Sequence, residues 1–147
     1  SNVQNIACGK DVGASPDGRH AHEPLSDASS PYFGRDRHGP TAVIRSLARL
    51  PYRLCPGGSV VNIKLDPHGL EGETGLEALA SLIVTCFRLG GAELQFNTTD
   101  RETLIAAMKR PELYENLVVR VSGFSYNYTW LDPSVQKDIL ARTEHAV

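Results

Sequence analysis

The chain has 147 residues, an apolar fraction of 41% and a net charge of −2 from 15 basic and 17 acidic side chains. Such a chain suits one soluble globular domain, and without a run of Lys or Arg neither nucleic acid nor an anionic membrane is expected as a main partner. No apolar stretch reaches the roughly 20 residues a bilayer span needs, and no basic patch with an apolar h-region opens the chain. The expected setting is therefore the cytoplasm, with Cys8, Cys55 and Cys86 as reduced thiols.

Residues 1–40 are dense in Gly, Pro, Ser, Asp and His. Too poor in aliphatics to build a core, they read as an extended segment packing on the unit formed by 41–147. Pro16-Asp17-Gly18 is a turn, because Pro presets φ and Gly accepts φ > 0. From Thr41, Val43, Ile44, Leu47 and Leu50 recur at helical spacing up to Pro51. After the turn at Pro56-Gly57-Gly58, Val61, Ile63 and Leu65 alternate with Val60, Asn62 and Lys64 as a strand.

The segment from Thr74 predicts a helix with Leu76, Leu79, Ile83, Cys86 and Phe87 on one stripe, stopped at Gly90-Gly91. "ELQFNTT" alternates as a second strand. Thr99 and Glu102 have capping-box spacing, so a helix starts near Asp100 and ends before Pro111. "LVVRVS" predicts a third strand, and Asp132-Pro133 opens a terminal helix with Val135, Ile139 and Leu140. Alternating helices and strands imply an α/β class, yet three strands leave two bare edges, as in part of something larger.

Few residues form a chemical constellation. Cys8, His20, His22 and His38 share a polar region, but their spacing fits no zinc pattern. Ser122-Gly123 lacks the Gly-x-Ser-x-Gly elbow, Cys86 falls on a buried stripe, and nothing beside Cys55 would lower its pKa. Gly9, Gly13 and Gly18 neither follow a strand nor open a helix, which leaves phosphate binding unsupported.

Gly123 stands out. It interrupts the third strand directly before rings at Phe124, Tyr126, Tyr128 and Trp130. By itself it reads as a turn glycine. Its neighbours "RVSGF", Arg120 to Phe124, resemble the radical-site signature of the glycyl radical enzymes, Arg-Val-Ser/Ala-Gly-Tyr. The likeness extends to "GASPDGRHAHEPLSD" at Gly13–Asp27, to "GRDRHGPTAVIRSLARL" at Gly34–Leu50, to the stretch Glu93–Phe124 and to the terminal "LDPSVQKDILARTEH".

The resemblance implies the C-terminal portion of that family's ten-stranded α/β barrel, with helical crossovers and the radical loop after the last strand. It implies a stable radical on Gly123, installed by a separate activating enzyme that uses S-adenosylmethionine and an iron–sulfur cluster, with no cofactor bound to this chain. Arg120, Val121, Ser122, Phe124 and Ser125 would form the loop that aims Gly123, and the surrounding rings would exclude water and oxygen. Phe124 replaces the family's usual tyrosine, which removes a hydroxyl without touching the backbone.

The family's thiyl cysteine lies upstream of the matched region, and none of the three cysteines falls in its motif. The chain is thus expected to store a radical but not to turn over substrate alone. Its partners would be the activase and the remainder of the enzyme, and a homodimer of the parent is allowed. The "LARTEHAV" ending and the short link from Phe87 to Glu93 look more like the dehydratases and carbon–heteroatom lyases than pyruvate formate-lyase. The Ser1-Asn2 start, reading as an expression scar, and the missing strands favour an excised domain. The alternatives are a free-standing spare-part radical protein, or a non-catalytic interaction module whose aromatic corner binds a partner.

Overall fold

In the computed structural model, residues 4–55, 57–121, 123–142 and 144–146 are described; Ser122 and the Pro56 of the expected turn lie outside them. The centre of the fold is β1 (Val60–Leu65), whose six residues are all buried. Val61, Ile63 and Leu65 face one side and pack on Val43 and Ile44 of α2 (Gly39–Leu47) and on Leu82 and Cys86 of α3 (Gly72–Arg88). Removing each such aliphatic side chain from water stabilises by about 1.5–3 kcal/mol.

β2 (Glu93–Asn97) pairs parallel with β1, placing Asn62 beside Gln95 and Lys64 beside Asn97. On the opposite edge β5 (Glu144–His145) pairs parallel with Lys64 and Leu65, giving the sheet order β2-β1-β5. Lys64 is neutralised there by Glu144 at 2.7 Å. Two serines cover the start of β1: Ser29 N–H donates to the Val60 carbonyl, and the Asn62 N–H donates to Ser30 Oγ at 2.9 Å.

A second core joins Leu104 and Ala107 of α4 (Arg101–Lys109), Val119 and Val121 of β3 (Val118–Val121), Tyr128, and Val135 and Ile139 of α5 (Pro133–Ala141). β3 runs antiparallel to β4 (Phe124–Asn127), and Val121 and Phe124 form the pair nearest the turn. Tyr128 is fully buried; its hydroxyl donates to the Gln136 carbonyl, and the Gln136 amide donates back to the Tyr128 carbonyl. Burial pushes that phenol up to about 12.

The N-terminal segment is not purely extended, since α1 (Gln4–Gly9) opens it. Its turn folds around Arg19, 2% exposed, whose guanidinium donates to Ser15 Oγ and to the Gly13, His20 and Glu23 carbonyls. Farther on, Asp36 meets His145 of β5 at 2.9 Å.

Several expectations are corrected. α2 ends at Leu47, leaving Leu50 on the surface; on α3 the buried positions are Gly75, Leu82 and Cys86, while Leu76 and Phe87 are exposed. The apolar residues of that helix span more than one face, so periodicity alone places Leu79 and Cys86 on the core but misses Leu82 and adds Leu76 and Phe87. The capping box does not form. Asp100 caps α4 instead, accepting the Thr103 N–H at 2.7 Å, because its shorter carboxylate already sits at the N-cap. Asp132 caps α5 as expected, accepting from Ser134 N–H.

The largest differences concern the strands. The third strand of the sheet is β5, and β3 belongs to a separate hairpin. Residues 124–127, expected as loop, form β4, so Gly123 lies between two strands.

Candidate functional site

Gly123 occupies the tip of the β3–β4 hairpin with φ +93°, a backbone region closed to most side chains. A Cβ built on it would meet nothing within 4 Å, so conformation and not crowding demands glycine here. The site residues expected beside it divide by strand geometry. Val121 is buried in the second core at 3% exposure, whereas Arg120 points outward and donates to Ser125 Oγ at 3.0 Å across the hairpin. Ser122 is outside the described residues.

The expected aromatic shelter does not form from this chain alone. Phe124 is 40% exposed, Tyr126 44% and Trp130 72%. The first two rings meet edge to face at 6.3 Å, and Val118, on the other face of the hairpin, is also open. Paired positions share a face, so Phe124 and Tyr126 lie on the same side as Val121 and Val119, but the second core covers only the β3 half of that side, while Val118 and Arg120 point to the other. Apolar side chains on both faces of the hairpin are thus left uncovered near Gly123.

The hairpin attaches to the sheet through side chains. Asn97 of β2 accepts from Arg120 N–H at 2.8 Å and donates to its carbonyl at 2.9 Å, standing where a neighbouring strand would. Gln95, two residues earlier on the same face, accepts the Gly123 N–H at 2.6 Å. Behind it the Gln95 amide donates to Asn62 Oδ1, and Asn62 Nδ2 donates to Asp27 Oδ2, both at 2.5 Å. Asp27 meets Arg142 at 3.2 Å, and Arg142 also reaches Asp138 at 3.4 Å. Burial pushes the Asp138 carboxyl up, against the lowering effect of Arg142 and with a further upward push from Asp27.

Neither Gln95, Asn97, Asn62 nor Asp27 was expected to matter. The available signal is that Asn62, Gln95 and Asn97 alternate with apolar residues on strands of parallel type, whose second face is normally buried too. Amides there must find partners inside.

The other candidates are dispersed. Cys8 and Cys55 are exposed, and Cys86 is buried with its thiol pushed up by desolvation. The His22 ring pairs with the Lys10 carbonyl, and among the described residues no group of three or more His, Cys, Asp or Glu could hold a metal. No helix among them is long and apolar enough to cross a membrane.

The family model described as "Glycine radical" matches residues 25–129. The chain is 46% identical to the probable dehydratase YbiW of Escherichia coli (strain K12) over 142 residues, covering 96% of this chain and 18% of the relative. It is 44% identical to the isethionate sulfite-lyase of Oleidesulfovibrio alaskensis, covering 97% and 18%. The glycerol-bound B12-independent glycerol dehydratase from Clostridium butyricum superposes with a TM-score of 0.96 at 44% identity, over 98% of this chain and 18% of that one. The chain therefore spans under a fifth of the length of these dehydratases and lyases, and the sequence match and the superposition together show that it belongs to the glycine radical family.

Proposed function

We propose that this chain is the radical-storing C-terminal domain of a larger cytoplasmic glycyl radical enzyme of dehydratase or carbon–heteroatom lyase type, with the radical on Gly123. The observation that carries the reading is a family-matched glycine at a hairpin tip, at positive φ, with its N–H held and open space where a side chain would stand.

The chemistry accounts for the residue. The activase would supply a 5′-deoxyadenosyl radical from S-adenosylmethionine, with an iron–sulfur cluster as its one-electron reductant. The Cα–H bond of Gly123 then breaks homolytically; the hydrogen passes to the deoxyadenosyl carbon, and the unpaired electron stays on Cα. A Cα radical flattens and delocalises into the flanking amide nitrogen and carbonyl, which a Cβ would obstruct. Gly123 at a hairpin tip, joined to the sheet by side chains and not by a strand ladder, is a backbone atom an activase can reach.

The open side chains Val118, Phe124, Tyr126 and Trp130 are the apolar surface the remainder of the enzyme would cover. That remainder would also bring the cysteine that passes the radical to substrate. The dehydratase and lyase names of the relatives support the subgroup over a spare-part protein for pyruvate formate-lyase. The isolated chain is not expected to turn over any substrate.

Electron paramagnetic resonance after anaerobic incubation with a matching activase and S-adenosylmethionine tests the reading. A glycine-centred doublet is expected, absent in Gly123→Ala. Exposure to air should cut the backbone at Gly123 and release a peptide beginning near Phe124. No doublet with an activase proven on an intact enzyme overturns the proposal.

A further inference from the structure

We infer that Gln95 is the positioning residue for Gly123, and that Asp27, acting through Asn62, fixes which way the Gln95 amide faces. The inference rests on Gly123 being the radical site, and it adds a polar relay that the radical reading does not require.

The three side chains of the relay are buried: Gln95 is 4% exposed, Asn62 8% and Asp27 3%. Each link runs in one direction, from Gly123 N–H to Gln95 Oε1, from Gln95 Nε2 to Asn62 Oδ1, and from Asn62 Nδ2 to Asp27 Oδ2. A primary amide offers an acceptor at one end and a donor at the other, and either end can face a given neighbour. The Asp27 carboxylate, which meets the Arg142 guanidinium at 3.2 Å, offers acceptor oxygens. Asn62 must therefore turn its NH2 toward Asp27 and its oxygen toward Gln95. Gln95 must in turn give its NH2 to Asn62, which leaves its oxygen facing Gly123. If Gln95 were reversed, two donors would meet at the glycine and its N–H would lose its partner; if Asn62 alone were reversed, its NH2 would face that of Gln95 and its oxygen the Asp27 carboxylate.

Two consequences follow for a radical at Gly123. An acceptor on the N–H raises electron density on the amide nitrogen, which strengthens donation into the half-filled Cα orbital. The same bond fixes the peptide plane before Gly123, so the orbitals overlap in one orientation. The bond is short at 2.6 Å, and its acceptor is the buried Gln95 side chain, held from behind by Asn62.

The test uses the full-length enzyme that carries this chain, as wild type, Gln95→Leu and Gln95→Glu. Glutamic acid kept neutral by burial preserves the relay, because its hydroxyl donates to Asn62 and its carbonyl accepts from Gly123. Two readouts are needed: hydrogen–deuterium exchange of the Gly123 amide before activation, resolved by fragment mass spectrometry, and the radical doublet with its 15N coupling after activation of 15N-glycine-labelled enzyme. Gln95→Leu is expected to speed Gly123 exchange about tenfold, the order of one lost hydrogen bond, and to lower both the radical yield and the 15N coupling. Gln95→Glu should restore all three.

Wild-type yield and coupling in Gln95→Leu overturn the inference while leaving the radical site in place. Equal impairment in Gln95→Glu also overturns it, since the position would then matter for packing alone. No doublet in wild type, with Gly123 exchange still dependent on Gln95, rejects the radical site and keeps the hydrogen bond. If Gln95→Leu fails to fold, Gln95→Met removes the amide at similar length and is read in the same way.

Discussion

β1 and the β3–β4 hairpin are both short runs built on valine, yet their surroundings differ. Every residue of β1 is buried, with an apolar face toward α2 and α3 and a polar face made of Asn62, Lys64 and their neighbours Gln95 and Asn97. The hairpin buries Val119 and Val121 and leaves Val118, Phe124 and Tyr126 open. A sheet enclosed on both faces can hold amides in fixed orientations, which a solvated face would not. The half-covered hairpin takes its orientation from those amides, so the fold separates the part that sets direction from the part that presents Gly123.

The largest effect should come from the enclosed side. Leu65→Ala removes a side chain with 0% exposure from the first core and is expected to cost about 2–5 kcal/mol in thermal unfolding. A cost under about 1 kcal/mol would mean the site collapses freely and that the slab is no stiffer than the hairpin.

Next comes the attachment itself. Asn97→Ala takes away both partners of the Arg120 backbone and should cost about 1–3 kcal/mol, the range for stranded polar groups. The distinctive result would be local. Hydrogen exchange at Arg120 and Gly123 should rise while amides of β1 stay protected. Uniform loss of protection would show that hairpin and sheet open as one unit.

This attachment was the part least visible in the sequence. Strand β1, helix α3, the Asp132-Pro133 start of α5 and the family motif at Gly123 could be read from alternation, capping chemistry and quoted residues. The hairpin could not, because Ser122-Gly123 carries none of the Asn-Gly or Asp-Gly signal of a tight turn and the rings after it resemble a loop cluster. Gln95 and Asn97 escaped for a different reason. A polar residue alternating with Leu94 and Phe96 reads as a solvent face, and only the parallel pairing that buries both sides of the sheet reveals it as interior. Strand β5 was hidden too, since two residues are too few to carry a period.

A smaller, pH-dependent difference should separate the buried carboxyl of Asp138, which shares Arg142 with Asp27, from the helix caps. The Asp138 carboxyl is raised chiefly by burial, so the native state holds its proton more tightly than the unfolded chain. Stability from this group therefore increases as pH falls through the raised value toward 3.8, the ordinary value. Asp100 behaves oppositely. The Thr103 N–H and hydroxyl lower its pKa, and the stability it gives is present above 3.8 and is lost as pH falls below it. Asp138→Asn should flatten the unfolding midpoint against pH above 3.8, and Asp100→Asn below it. A single variant that flattens both windows would mean the two carboxylates are coupled.

The smallest effect is expected on the open face, where it is also the most discriminating. Val118 is 56% exposed and its side chain lies opposite the second core, so Val118→Ser should change the stability of the chain by no more than about 0.5 kcal/mol. The same substitution in the full-length enzyme should cost more, because the remainder of the enzyme would cover that face and each buried CH2 is worth about 0.8 kcal/mol. Thermal unfolding of both forms, with sedimentation to exclude self-association of the chain, gives the comparison. Equal small costs would show that the face stays in water even in the whole enzyme, leaving Gly123 unshielded on that side. A large cost in the chain alone, at every concentration, would mean the face is already packed and that the hairpin is enclosed much as β1 is.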